Sequence, residues 1–211
     1  MKEKKIDLNL ILNMVIVILT IVGTIVMINS KASATGLTAN GFRNLKFYTV
    51  LSNEFAGVIA LCQIIAHFRG KPYLKVTKLV AVTAVTLTFL VVAGFFGPLY
   101  GWLKLYKQAN FYFHLVVPLV CMVEFFTAKN IGDLTIKHCM IASLSTVVYG
   151  LAYLINILIN GVGVWPESND WYGFLNWGMP VGLTIFAGII LTSFGVACLL
   201  RFIKKKIKRA S

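Results

Sequence analysis

The chain has 211 residues, 58% of them hydrophobic and only 13% charged, about half the ~25% charged share of a soluble domain. So few charges exclude a water-facing globule. The net charge of +13 sits in short segments between apolar runs, which excludes a continuous basic face for nucleic acid. The expectation is one all-α, polytopic transmembrane domain over residues 1–211, with membrane lipids and no nucleic acid among its partners.

A window of about 20 residues gives six apolar stretches, near 8–28, 45–68, 76–97, 111–128, 138–160 and 179–203. Each can cross a hydrocarbon core of about 30 Å at about 1.5 Å per residue. The first follows a basic start and precedes Ala32-Ser33-Ala34, which has the form of a signal-peptidase site. Its apolar run is longer than the core of a signal peptide, so an uncleaved first span is expected. The second carries Thr49, Ser52, Asn53, Ala56 and Gln63 on one helical face, a polar stripe that should point into the bundle. The fourth is the shortest and holds His114, Pro118 and Glu124.

When each of the 20 lysines and arginines is counted with the nearer end of its span, 15 fall on the side of the N-terminus, Lys78 among them, and five on the other. Cations hold loops in the cytoplasm during insertion, so the bundle is read as N-in and C-in. The basic run from Arg201 to Arg209 is first a topology signal and second a contact for anionic lipid. The opposite loops, 98–110 and 161–178, are rich in aromatics, among them Trp102, Trp165, Trp171, Tyr172 and Trp177. Two accounts stay open for them, an interfacial belt and a lid over an outward cavity. Cys62, Cys121, Cys139 and Cys198 all fall within spans and none has C-x-x-C spacing. No disulfide framework, metal or cofactor is expected.

Ionisable groups inside spans cost at least a few kcal/mol each and mark function by default. Glu54, His114 and Glu124 are the candidates, with His67 and His138 close to span ends. Counting from the outer ends of their spans, Thr49 lies about 6 Å deep and His114 about 5 Å deep. A hydroxyl and an imidazole thus share one outer layer. Pro118 has no N–H, so the His114 carbonyl, four residues earlier, is expected to lose its helical partner. A threonine hydroxyl becomes a nucleophile when a base within hydrogen-bond reach takes its proton, and histidine is the usual base. The plain alternative is that Thr49 bonds its own backbone while His114 joins helices.

The segments Phe47-Tyr48-Thr49-Val50-Leu51-Ser52-Asn53 and Phe113-His114-Leu115-Val116-Val117-Pro118-Leu119 resemble the two best-marked stretches of the androgen-induced gene product family. That family includes the androgen-dependent regulator of tissue factor pathway inhibitor and small bacterial relatives. The resemblance implies a six-span intramembrane hydrolase with a threonine–histidine dyad, whose animal members cleave fatty acid esters of hydroxy fatty acids. It would make Thr49 the nucleophile and His114 the general base, with a lipid ester as substrate. Asn53 and Pro118 are read as supporting residues. No third catalytic member and no oxyanion donor is evident.

Two other readings fit six spans. One is the substrate-binding subunit of a vitamin transporter, a class that resembles this chain in size and aromatic outer loop but docks through alanines on its first span. Residues 8–28 contain no alanine. The other is a non-catalytic membrane scaffold. Vitamin copurification would mark the transporter, and covalent labelling by a hydrolase probe the enzyme.

Overall fold

The computed structural model describes residues 7–32, 38–129, 131, 133–164 and 167–210, and for residues 100, 104 and 210 the backbone alone. Ser33, Ala34, Trp165 and Pro166 lie outside the described residues. Six helices are long and apolar enough to cross a membrane. They are labelled α1 (Leu8–Ile28), α2 (Tyr48–Phe68), α3 (Lys75–Leu99), α4 (Ala109–Thr127) and α5 (Ile136–Asn160), then α6 (Met179–Ala210). No strand occurs among the described residues. The protein is a multi-pass membrane protein built as an all-α, six-helix bundle.

Its pattern of burial is inverted relative to a soluble helix. On α1 the exposed stripe is Leu8, Ile11, Met14, Ile18, Ile21 and Ile25, whereas the buried face includes Asn13, Thr20 and Gly23. An apolar ridge of this length is stable only against hydrocarbon. With no hydrophobic drive between helices in lipid, close packing through small residues must hold them together. Two glycines of the bundle are such contacts. A Cβ on Gly57 of α2 would lie 2.8 Å from Thr20 Cγ2 of α1, and one on Gly23 of α1 would lie 2.7 Å from the Phe113 ring of α4.

Helix α3 is the central pillar, touching α2, α4, α5 and α6. Its buried side chains form one core with Ile16 of α1, Ala60 of α2, Phe125 of α4, Cys139 of α5 and Ala197 of α6. A second, outer cluster joins Met27, Phe47, Val50, Ala109 and Phe113, with Tyr112, Trp171 and Tyr172 packed against it. That outer cluster surrounds the layer in which Thr49 and His114 were expected.

Candidate functional site

Helix α2 begins at Tyr48, three residues later than the apolar run suggests. The reason is Asn44, whose amide nitrogen donates to Ser30 Oγ (3.0 Å), Ala39 O (2.7 Å) and Gly41 O (2.9 Å) while its oxygen accepts from Ala39 N–H (2.8 Å). These bonds hold Gly41–Lys46 as a 3-10 turn, and Phe47 follows in extended conformation. Thr49 is therefore the second residue of the helix rather than lying a full turn inside. The amides of Val50 and Leu51 both reach Phe47 O, at 3.1 and 3.2 Å. The Tyr48 amide donates to the Tyr172 hydroxyl at 2.9 Å. The Thr49 amide and hydroxyl carry no hydrogen bond among the described residues, and Thr49 is half-buried.

The fourth span carries a π-helical segment, Tyr112–Val116, in which the Val117 amide bonds back five residues to Tyr112 O. This corrects the expectation about Pro118. In that register Pro118 would have served Phe113 O, so the vacated carbonyl is that of Phe113 and not that of His114. Asn53 fills the vacancy: its amide nitrogen donates to Phe113 O at 2.9 Å and to Thr49 O at 2.7 Å. One side chain, 0% exposed, thus ties the backbone next to His114 to the backbone of Thr49. Its own Oδ1 is buried without a partner among the described residues. The same device recurs in α3. The π segment Val92–Phe96 precedes Pro98, the Gly97 amide bonds Val92 O, and the Trp102 indole N–H takes the vacated Ala93 O at 3.0 Å.

His114 Nδ1 lies 3.1 Å from Leu105 O. A carbonyl can only accept, so Nδ1 carries the proton and Nε2 presents the lone pair. Leu105 ends a short helix, Trp102–Leu105, in the loop before α4. That loop turns back through Gln108, a non-glycine residue at φ 52°, a conformation that stores about 1–3 kcal/mol and persists where surrounding contacts fix it. No hydrogen bond joins Thr49 to His114 directly. The two are joined through Asn53 and Phe113, at one level of the bundle.

Residues 167–178 of the outer loop form a folded cover on the start of α2 and the outer end of α5. Buried Asp170 accepts from the amides of Phe174 (3.0 Å) and Leu175 (2.8 Å) and from the Tyr153 hydroxyl of α5. The Gly173 amide closes a turn onto Asp170 O at 2.9 Å, with Gly173 at φ +67°. Trp171 Nε1 donates to the Tyr149 hydroxyl at 3.1 Å, which donates in turn to Lys46 O at 2.6 Å. The Lys46 ammonium sits 5.4 Å from the Trp171 ring, and burial lowers its pKa from the ordinary lysine value. Trp171, Tyr172 and Phe174 belong to this cover, whereas Trp102 and Trp177 are exposed.

Two other membrane-embedded charges, Glu124 and Lys78, meet elsewhere. Glu124, 1% exposed, pairs with Lys78 at 3.1 Å and accepts from Asn13 (2.9 Å), Asn9 (2.6 Å) and Tyr73 (3.0 Å). Lys78, 4% exposed, was counted as a cytoplasmic loop cation and is instead a buried partner within α3. Glu124 is ten residues along α4 from His114, about 15 Å, so this cluster holds α1, α3 and α4 together at the opposite end of the bundle. Glu54 accepts from Thr24 Oγ1 of α1. The four cysteines are free, and among the described residues no group of His, Cys, Asp or Glu could hold a metal.

No family model, no characterised protein and no solved structure matches the chain. The site thus rests on geometry and on the local resemblance of two short segments. Sequence reasoning missed Leu105 and Tyr172. A backbone carbonyl leaves no trace in residue type, and Tyr172 was visible only as one ring among many.

Proposed function

We propose that the protein is an intramembrane hydrolase of lipid esters in a bacterial cell membrane, with Thr49 as nucleophile and His114 as general base. The observation that carries this reading is the Asn53 amide, which donates to the Thr49 and Phe113 carbonyls at 2.7 and 2.9 Å. It holds the nucleophile and the base at a common depth. The resemblance of both segments to the androgen-induced gene product family supports the same assignment, as does a histidine whose Nδ1 proton is committed to Leu105 O. The lysine-rich composition accords with a bacterial source.

In the reaction, Thr49 Oγ attacks the ester carbonyl carbon while its proton passes to His114 Nε2. The carbonyl π pair moves onto oxygen. Collapse of the tetrahedral intermediate breaks the bond to the alcohol oxygen, which leaves with the proton from His114. Water, deprotonated by the same nitrogen, then attacks the acyl-threonine and releases the fatty acid, restoring the hydroxyl. The Leu105 carbonyl acts as the orienting third group, fixing the tautomer in the way that a carboxylate does in other hydrolases. Substrate-free enzymes often hold such hydrogen bonds long, and they tighten when substrate arrives. A site among helices at this depth opens toward acyl chains, so long-chain esters should be the substrates and short water-soluble ones poor.

Purified protein in lipid nanodiscs, given long-chain acyl esters of hydroxy fatty acids, tests the reading. Thr49→Ala and His114→Ala should each lower turnover by about 10³-fold or more, with the double variant little worse, because members of a catalytic unit are not additive. Thr49→Ser should retain part of the activity. Parental turnover in folded Thr49→Ala would refute the assignment.

A further inference from the structure

A hydrolase of this kind develops negative charge on the former carbonyl oxygen, and donors aimed at that oxygen supply much of the rate. Neither the Thr49 nor the His114 side chain can supply them, since one is the nucleophile and the other the base. The outer cover brings one further hydroxyl to the spot. Tyr172 OH accepts the Tyr48 amide at 2.9 Å, one residue before Thr49. Its ring packs on Phe47 with centroids 6.1 Å apart and lies against the cluster containing Phe113, one residue before His114.

The proton count at Tyr172 is what makes it a candidate donor. Its oxygen accepts from Tyr48. The Tyr149 hydroxyl, 3.4 Å away at the limit of a hydrogen bond, is placed to donate to that oxygen and not to take the Tyr172 proton. Tyr149 spends its single proton on Lys46 O at 2.6 Å and already accepts from Trp171 Nε1 at 3.1 Å. Tyr172 therefore keeps an uncommitted O–H beside the nucleophile. Burial, and then the neighbouring Tyr149, push its pKa well above the ordinary tyrosine value, so the hydroxyl stays protonated throughout the physiological range.

We infer that Tyr172 is a catalytic residue, donating its hydroxyl proton to the oxyanion formed when Thr49 attacks the ester, with the unpaired Thr49 amide at the start of α2 as the second donor. The inference rests on the hydrolase reading above. During attack the Tyr172 O–H bond stays intact. The hydroxyl shortens its hydrogen bond to the oxygen as the π pair arrives there, and lengthens it again when the carbonyl re-forms. The cover thereby acts chemically as well as excluding water.

The test compares an oxoester with the matching thionoester, whose C=S sulfur accepts hydrogen bonds poorly. Parent protein should favour the oxoester strongly. Tyr172→Phe should lower oxoester kcat by about 10²- to 10³-fold and thionoester kcat far less, so that the ratio of the two collapses. An unchanged ratio overturns the inference, whether the rates stay put or fall together, since a merely structural role would slow both substrates alike. Should Tyr172→Phe not fold, fluorotyrosine incorporated at 172 keeps ring and hydroxyl while strengthening the donor. The ratio should then rise, and constancy overturns the inference. A parent inert on both esters rejects the hydrolase reading and this inference with it. An active parent with an inert Thr49→Ala and a constant ratio rejects the role of Tyr172 alone.

Discussion

Asn53 and Trp102 repair the same backbone defect in different surroundings, and the difference sets their energetic weight. Each donates to a carbonyl left without a partner by a π segment and a proline two residues beyond it. Asn53 is fully buried, so Asn53→Ala strands the Phe113 carbonyl in a dry interior and should cost about 1–3 kcal/mol. Trp102 is 50% exposed, so water or headgroups can replace its N–H, and Trp102→Phe should cost under about 1 kcal/mol. Thermal unfolding in detergent measures both. Pro118→Ala restores an amide that can serve Phe113 O, so Asn53→Ala combined with Pro118→Ala should be less destabilised than the sum of the two. Strict additivity would contradict the shared-carbonyl account. Turnover should fall about 10²-fold in Asn53→Ala, the scale of a misplacement near 1 Å. At this scale the sequence was half legible. Residue types and spacing marked Thr49, Asn53, His114 and Pro118, but the one-residue slip into a π register is decided by packing, and it moved the open carbonyl from His114 to Phe113.

The elements outside the bilayer were the least legible. Apolar periodicity finds spans because each must satisfy its backbone internally, yet it gives no information on a loop whose order comes from one carboxylate. Asp170 accepts two amides and the Tyr153 hydroxyl, and charge-assisted bonds of this type contribute about 1.5–3 kcal/mol each. Asp170→Ala should therefore unfold residues 167–176 locally while the six helices persist. Limited proteolysis from the outer side checks this, with cleavage expected inside the loop and turnover reduced through loss of Tyr172. An uncleaved loop would show that the aromatic cluster alone maintains the cover. The late start of α2 belongs here as well. Leu45 and Lys46 fall within the 45–68 stretch in sequence, but Asn44 holds them in a 3-10 turn, which moved Thr49 into the first turn of the helix.

At the scale of the whole molecule, composition identified a chain in lipid, because a deficit of charge leaves no other stable surface, and the apolar windows gave its six helices. Charge counting was less complete, since Lys78 is a structural cation and not a loop signal. The Lys78–Glu124 pair makes a definite prediction. Lys78→Ala leaves Glu124 buried without its counter-ion and should destabilise the bundle by about 3–5 kcal/mol, whereas Lys78→Met with Glu124→Leu should recover most of that loss. Thermal stability in detergent reads both. Turnover per folded molecule should survive in the double variant, because the pair lies about 15 Å along α4 from His114. Orientation is checked with single cysteines in a cysteine-free background. Glu167→Cys should label with an impermeant maleimide in intact cells and Lys205→Cys should not, and the reverse pattern would invert the topology. The central claim is that Thr49 is a nucleophile activated within the membrane, and a fluorophosphonate probe tests it most directly. Mass spectrometry of the labelled protein should place one phosphonyl adduct on the peptide containing Thr49. The adduct should be absent from Thr49→Ala and strongly reduced in His114→Ala. A folded parent that takes up no probe, or an adduct that persists in Thr49→Ala, would contradict the account.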